Sequence, residues 1–355
     1  MVLFLMLADA MKPDELPTNI SWTRRLLTTP LWYVFAIVLP ALMPIVIPLL
    51  AIYDLVTRNN LSASRTYVFF TYFFVVEAIG LAVALWLWVR HKAGMDDDDF
   101  KMANRKLQRW WARGMFWGSL RIFSAEVDIE GLECLEDETP AVVMSRHAST
   151  LDTMLPIAVV RQLKCYRYVI KSELLTDPTL DYCAQRFPNV FVDRGSDDPE
   201  FEIEKVLALG NDLGDNEAVV MYPEGTRFSE AKRERLLEKF QDDEEMLRIS
   251  TELENTLPPL REGGVKLLES TPDADVVFIA HRGVDDAAAM SDLITGGLTK
   301  AHVEIKMWRV PAASVPRTKE DVRKFFVDHW KKIDKFVGET KAEKTSPAPQ
   351  TVRVE

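Results

Sequence analysis

The chain predicts an α/β fold: a mostly parallel sheet flanked by helices, preceded by an N-terminal two-helix membrane hairpin. Two observations carry this. Beyond residue 125, short apolar runs alternate with stretches of helical periodicity, the order that βαβ units produce. Before residue 93, two runs almost free of charge each reach the length that a bilayer requires. The 355 residues allow one large domain or two ordinary ones. A formal charge of −11 lacks the basic footprint of a nucleic-acid binder, so no nucleic-acid partner is expected. Cys134, Cys165 and Cys183 are odd in number and lack C-x-x-C spacing. They read as buried thiols on the reducing side of a membrane, and no metal site is implied.

Residues 1–29 form an N-terminal cytoplasmic segment. Met1 to Met11 is apolar, but it has no basic start and no cleavage site, so it does not read as a cleaved signal peptide. Residues 30–92 are the transmembrane or membrane-embedded hairpin. Leu31 to Tyr53 holds 23 residues without a formal charge; as a helix it is about 34 Å long, against a hydrocarbon core of about 30 Å. Pro40, Pro44 and Pro48 recur near one face and should kink it, leaving carbonyls for a partner helix to satisfy. Tyr67 to Val89 is the second run, with one acidic residue, Glu77, expected to face the first run; an ion pathway is the sharper alternative. The connection Asp54 to Thr66 carries Arg58 and Arg65. The outer flanks carry Lys12, Arg24 and Arg25 on one side and Arg90, Lys92 and a basic series to Arg113 on the other. The positive-inside rule then places both ends, and the rest of the chain, on the cytoplasmic face of a bacterial inner membrane or endoplasmic reticulum.

Residues 93–124 interleave Lys and Arg with Trp110, Trp111 and Trp117 at helical spacing. This fits an interfacial amphipathic helix; a helix packed on the following domain is the alternative. Residues 125–337 form the α/β domain. Strands are expected at 127–129, 141–144, 166–170, 190–192, 218–222, 276–280 and 302–307, and helices at 150–162, 180–186, 200–212 and 319–336. Ser229 to Leu253 is a charged amphipathic stretch, solvated or serving a partner. Residues 338–355 are charged, contain proline and hold few large apolar side chains, so a disordered tail is expected.

The polar residues at two strand ends carry the chemistry. Ala141-Val-Val-Met-Ser-Arg-His147-Ala-Ser-Thr-Leu-Asp152 presents a histidine and, five residues on, a carboxylate; Ala218-Val-Val-Met-Tyr-Pro-Glu224-Gly225-Thr226-Arg227 is its counterpart. A histidine at a strand end can act as a general base, and a carboxylate on its other ring nitrogen would fix the tautomer. Asp152 also fits a helix capping box begun by Ser149, so it can serve backbone amides instead. No G-x-S-x-G elbow is present. A His/Asp pair without its own nucleophile suits activation of a substrate hydroxyl. Arg194 and Arg227, each in a turn after a strand, suit a phosphate on that substrate.

His147 to Asp152, Lys171-Ser-Glu-Leu174, Phe191-Val-Asp-Arg194-Gly195 and Tyr222-Pro-Glu224-Gly225-Thr226-Arg227 stand in the order and approximate spacing of the glycerolipid acyltransferase family, which the chain resembles over roughly residues 125–280. The resemblance implies transfer of a fatty acyl group to a lysophospholipid hydroxyl from an acyl-CoA or acyl-carrier-protein thioester as co-substrate, with no metal or other cofactor. Membrane lipid, lysophospholipid acceptor and acyl-CoA donor are the implied partners. It makes His147 the general base and Asp152 its orienting partner. Arg194, Arg227 and Lys171 would bind the acceptor phosphate, and Glu224, Gly225 and Thr226 would shape the pocket. The expected acceptor is 1-acylglycerol 3-phosphate, giving phosphatidic acid. Another lysophospholipid, with an inositol, glycerol or other headgroup, is the near alternative; a non-catalytic membrane scaffold and a lipid hydrolase are others. Two departures bear on the acceptor. The family's later apolar strand usually holds a proline, which Val276-Val-Phe-Ile-Ala-His281-Arg-Gly283 lacks, and the segment between Arg227 and Gly263-Gly264 is long.

Overall fold

A computed structural model of the chain describes residues 19–160, 162–193, 198–259, 262–287 and 290–339. Most of the N-terminal segment, Arg194 and nearly all of the expected tail lie outside the described residues.

Among the described residues seven strands form one sheet: β1 (Glu126–Glu130), β2 (Ala141–Ser145), β3 (Cys165–Lys171), β4 (Val190–Val192), β5 (Glu217–Met221), β6 (Asp275–Arg282) and β7 (His302–Val310). Their order is β1-β7-β6-β2-β5-β3-β4. All neighbours run parallel except β6 and β7, which are antiparallel. The expected mostly parallel sheet flanked by helices is therefore what the chain forms. Its central strands are unbroken apolar runs because both faces are covered. Val143, Val220 and Val277 point to one core, while Val142, Val219 and Val276 point to the other. The first core is closed by α3 (Asp97–Phe123), through Ala112, Phe116 and Leu120, and by α4 (Leu155–Val159). The second is closed chiefly by α9 (Glu262–Ser270) and α11 (Lys319–Gly338), whose Phe326 and Trp330 are fully buried.

Two expected helices differ. Residues 150–162 become a 3-10 turn, Leu151–Met154, followed by the short α4. Tertiary donors end it: Arg113 Nη1 donates to Ala158 O at 2.8 Å and to Val160 O at 3.4 Å, and Trp117 Nε1 donates to Ala158 O at 3.2 Å. Those carbonyls need no further helical turn. Between α5 (Pro178–Cys183) and β5 lies α6 (Pro199–Ala208). The amphipathic stretch after Ser229 is two helices, α7 (Glu230–Lys239) and α8 (Glu244–Glu252). The break falls at Asp242 and Asp243, where the Asp243 carboxylate accepts from Met246 N at 3.0 Å and starts the second helix.

The N-terminal pair is α1 (Trp22–Thr57) and α2 (Ser62–Lys92), both long and apolar enough to cross a membrane. The connection is only residues 58–61, because Asp54 accepts from Ala63 N and Ser64 N and starts α2 early. α1 remains one helix through Pro30, Pro40, Pro44 and Pro48, and the Tyr67 hydroxyl donates to Leu39 O in that stretch at 2.8 Å. Both ends of α1 touch the α/β domain. At its start Arg24 and Arg25 hold Asp181 of α5, with Arg24 Nη2 3.0 Å from Oδ1 and Arg25 Nε 3.2 Å from Oδ2. At its far end Asn59 Nδ2 donates to Ile294 O in α10 (Met290–Thr295) at 2.9 Å, and Ser62 Oγ to Thr299 Oγ1 at 2.9 Å. The hairpin thus runs along the domain, and α1 turns Ile37, Ile45, Leu49 and Ile52 outward.

Glu77 faces the domain side of the hairpin, where the first run was expected. Its Oε1 accepts from Trp111 Nε1 of α3 at 2.6 Å. The helix expected at the membrane interface has Met115, Phe116, Leu120 and Phe123 buried and lies between α2 and the sheet. This helix is thus packed on the α/β domain through its apolar face, while Trp110 stays exposed.

Candidate active site

His147, Lys171 and Glu224 all stand at or just beyond the C-terminal ends of adjacent parallel strands, β2, β3 and β5. Open α/β sheets form their ligand crevices there. Arg194, two residues after β4 in the sequence, lies outside the described residues.

His147 leaves β2 two residues past Ser145, and the chain turns at once onto Asp152. His147 Nδ1 is 2.9 Å from Asp152 Oδ1, while Oδ2 accepts from Ala148 N at 2.7 Å and Ser149 N at 2.8 Å. The carboxylate therefore does both things the spacing allowed: it caps the turn and orients the ring. A carboxylate can only accept, so Nδ1 carries the proton and Nε2 presents its lone pair. Nε2 has no hydrogen bond among the described residues, and the side chain keeps 19% of its surface exposed. Burial alone would raise Asp152, but the hydrogen bond and charge of His147 and the Ser149 amide together hold it below the usual carboxylate range. The result is an imidazole fixed from behind and open at the front.

The ring also packs against Tyr222, with centroids 4.8 Å apart, and the Tyr222 hydroxyl donates to Asp152 O at 3.2 Å. Beneath it lies Arg146, 1% exposed, whose Nη1 donates to His281 O and Nη2 to Asn255 O, each at 3.0 Å, and which pairs with Asp285. That guanidinium ties the ends of β2 and β6 to the segment after α8. No sequence signal singled it out beyond its place beside His147.

Glu224 is turned inward: Oε1 accepts from His147 N at 3.3 Å and Oε2 lies 3.5 Å from Leu257 N. Burial pushes it up to about 8, against the opposing charge of Arg146. It braces the backbone under His147. Gly225 follows with φ +67, a left-handed turn position that suits glycine. Thr226 Oγ1 and Arg227 O both accept from Lys232 Nζ on α7, at 3.0 and 2.7 Å. Lys232 escaped the sequence reading because its stretch looked like a solvated face. Arg227 is half-buried and its Nη1 donates to Thr150 Oγ1 at 3.2 Å, which places it beside the His147 turn. Lys171 Nζ pairs with Glu173 at 2.9 Å on the surface.

An acid whose folded value is raised loses stability as pH climbs from its unfolded value through the folded one. Wild-type thermal stability should therefore fall between about pH 4.5 and 8 by a component that Glu224→Gln lacks. Melting curves of both proteins across that range test this, and parallel profiles would contradict a neutral, buried Glu224.

Residues 126–281 match the family model described as Acyltransferase, and this stretch holds both the oriented His/Asp pair at the C-terminal edge of the parallel sheet and the Glu-Gly-Thr-Arg turn. Among curated proteins the chain is similar to a probable 1-acyl-sn-glycerol-3-phosphate acyltransferase 5 of Arabidopsis thaliana, 24% identical over 206 residues, covering 57% of this chain and 54% of that protein. The chain thus spans about half the length of that relative. Among solved structures it resembles PlsC of Thermotoga maritima, a 1-acyl-sn-glycerophosphate (LPA) acyltransferase, with a TM-score of 0.53 and 16% identity, covering 79% of this chain and 99% of that one. That likeness is one of fold.

Proposed function

We propose that this protein is a membrane-bound acyltransferase that moves a fatty acyl group from acyl-CoA to the free hydroxyl of a lysophospholipid, with 1-acylglycerol 3-phosphate as the first choice of acceptor. The single observation that carries the reading is the His147–Asp152 pair, 2.9 Å apart, with Nε2 left open. In the proposed step Nε2 takes the acceptor's hydroxyl proton as the oxygen attacks the thioester carbonyl. The C–O bond forms, the C–S bond breaks, and the proton passes from the imidazolium to the departing thiolate. Asp152 stabilises the transient imidazolium, as a buried carboxylate on the far nitrogen does in related base pairs. Arg227, Arg194 and Lys171 are the cations assigned to the acceptor phosphate. Thr226 and Gly225 shape the turn that carries Arg227. The chemistry calls for no metal or redox group.

The hairpin supports the membrane setting. Both ends of α1 are held by the domain, so we place the pair along the cytoplasmic surface of a bilayer with its outward Ile and Leu side chains in lipid, in a bacterial inner membrane or endoplasmic reticulum. A different acceptor headgroup is the second reading. One observation favours it: the inserted helix α7 reaches the Glu-Gly-Thr-Arg turn through Lys232 and so borders the acceptor side of the site.

The test is acyl transfer from labelled acyl-CoA to a panel of lysophospholipids, with wild type beside Arg227→Ala. We expect phosphatidic acid from the wild type, and in the variant an acceptor KM raised about tenfold or more with the KM for acyl-CoA little changed. Preference for a bulky headgroup would move the assignment to that acceptor. An unchanged acceptor KM would remove Arg227 from phosphate binding, and fatty acid released without an acceptor would mark a hydrolase.

A further inference from the structure

Asp152 has a second imidazole behind it. β6 pairs with β2 in parallel, and the last pair in register is Ser145 with Ile279. Two residues further along the two strands stand His147 and His281. Strand alternation puts His281 on the face of Val277 and Ile279, towards the Asp152 turn. The side chain is 1% exposed; its Nε2 lies 2.9 Å from Arg146 O and 3.5 Å from Asp152 Oδ2. A carbonyl oxygen only accepts, so Nε2 carries the proton and donates it to the carbonyl before His147, while the carboxylate that orients His147 stands 3.5 Å from the same nitrogen. Nδ1 has no hydrogen-bond partner among the described residues.

A buried nitrogen without a partner is costly, and an apolar residue at this strand position would avoid the cost. The N–H on the other side of the ring is what offsets it. We propose that His281 is a positioning residue for the His147–Asp152 pair: its single N–H, donated to Arg146 O with Asp152 Oδ2 3.5 Å from the same nitrogen, fixes both the carboxylate and the turn from which His147 projects. Other ionisable groups face the same cluster from the packed elements: Arg146 just after β2, Asp285 after β6, and Tyr222 and Glu224 after β5. Burial keeps His281 neutral by lowering its affinity for a second proton, so it donates without adding charge. Apart from His281 and the ring of His147, Asp152 Oδ1 and Oδ2 meet only backbone donors among the described residues, so removing the imidazole leaves Oδ2 with the Ala148 and Ser149 amides. More of the carboxylate's charge then acts on His147, which becomes easier to protonate.

This rests on the proposed reaction for its kinetic half, so the experiment pairs kinetics with a readout that needs no substrate. Wild type, His281→Leu, His281→Asn and His281→Gln are labelled with 15N-histidine in detergent. The His147 ring resonances, assigned by their loss in His147→Ala, are then followed against pH. In the Leu and Asn variants, which lack a reaching donor, the His147 midpoint should move up by about half a pH unit or more. Gln, whose amide N–H can reach the same acceptors, should stay near wild type. In acyl transfer the Leu and Asn variants should lose about tenfold or more in kcat at little change in acceptor KM, with the acidic limb displaced in the same direction. An unmoved midpoint in whichever of the Leu and Asn variants folds, or a Gln variant displaced as far as Leu, overturns the inference. A wild type that turns over no acceptor while the midpoint shifts as described would instead overturn the proposed reaction and leave the positioning role standing.

Discussion

His147→Ala should lose acyl transfer by about 10³-fold or more in kcat while remaining folded and bound to lipid. Among the described residues the ring hydrogen-bonds to Asp152, and its removal leaves that carboxylate held by the Ala148 and Ser149 amides, so the turn after β2 keeps its caps. Initial rates with labelled acyl-CoA and 1-acylglycerol 3-phosphate, beside circular dichroism and vesicle co-sedimentation, separate loss of chemistry from loss of structure. Activity within tenfold of wild type would mean that another group takes the proton.

Asp152→Asn should be nearly as damaging, because the carboxylate has two jobs that one amide cannot share. An amide oxygen can accept from His147 Nδ1 or from the backbone amides of Ala148 and Ser149. Whichever it serves, its NH2 then meets donors on the other side. If the NH2 faces the ring, His147 must present Nδ1 as acceptor and carry its proton on Nε2, the wrong tautomer for a base. We expect a kcat loss on the order of 10³-fold, as wrong-tautomer substitutions give in other His/Asp pairs. The variant should also differ in its acid stability. Asp152 sits below its usual range when folded, so the ionised form contributes stability that is present above the unfolded value and lost as pH falls through the folded one. Asn has no such loss. Near-wild-type kcat in Asp152→Asn would dismiss the orienting role, and an unchanged acid limb of the melting profile would dismiss the ionised, buried state.

The sheet was legible because its strands are written plainly. Ala141–Ser145, Glu217–Met221 and Asp275–Arg282 are apolar runs buried on both faces, and period and length alone mark them as central parallel strands. The site was legible where local spacing forces geometry: five residues from His147 to Asp152 suffice for a turn that closes on itself. What escaped was whatever depends on partners distant in sequence. The 150–162 helix stops short because Arg113 and Trp117 supply donors from α3. Lys232 looked like one charge among many until folding laid α7 against Thr226. Glu224 read as a pocket residue, and it faces the His147 backbone because a buried carboxyl goes where amides are unpaired.

The hairpin divides in the same way. Its two apolar runs and their lengths follow from composition. Its lie along the domain comes from Arg24, Arg25 and Asp181 at one end and Asn59 with Ile294 at the other, contacts more than 150 residues apart in sequence. By itself, then, the sequence determined the α/β class, the strand positions and the His147–Asp152 turn, since hydrophobic period and short-range hydrogen bonding are local properties. The tertiary structure alone decided which face α3 buries, where Glu77 points, and that a second histidine stands behind Asp152. Each of these depends on packing and hydrogen-bond partners that lie far apart in the sequence.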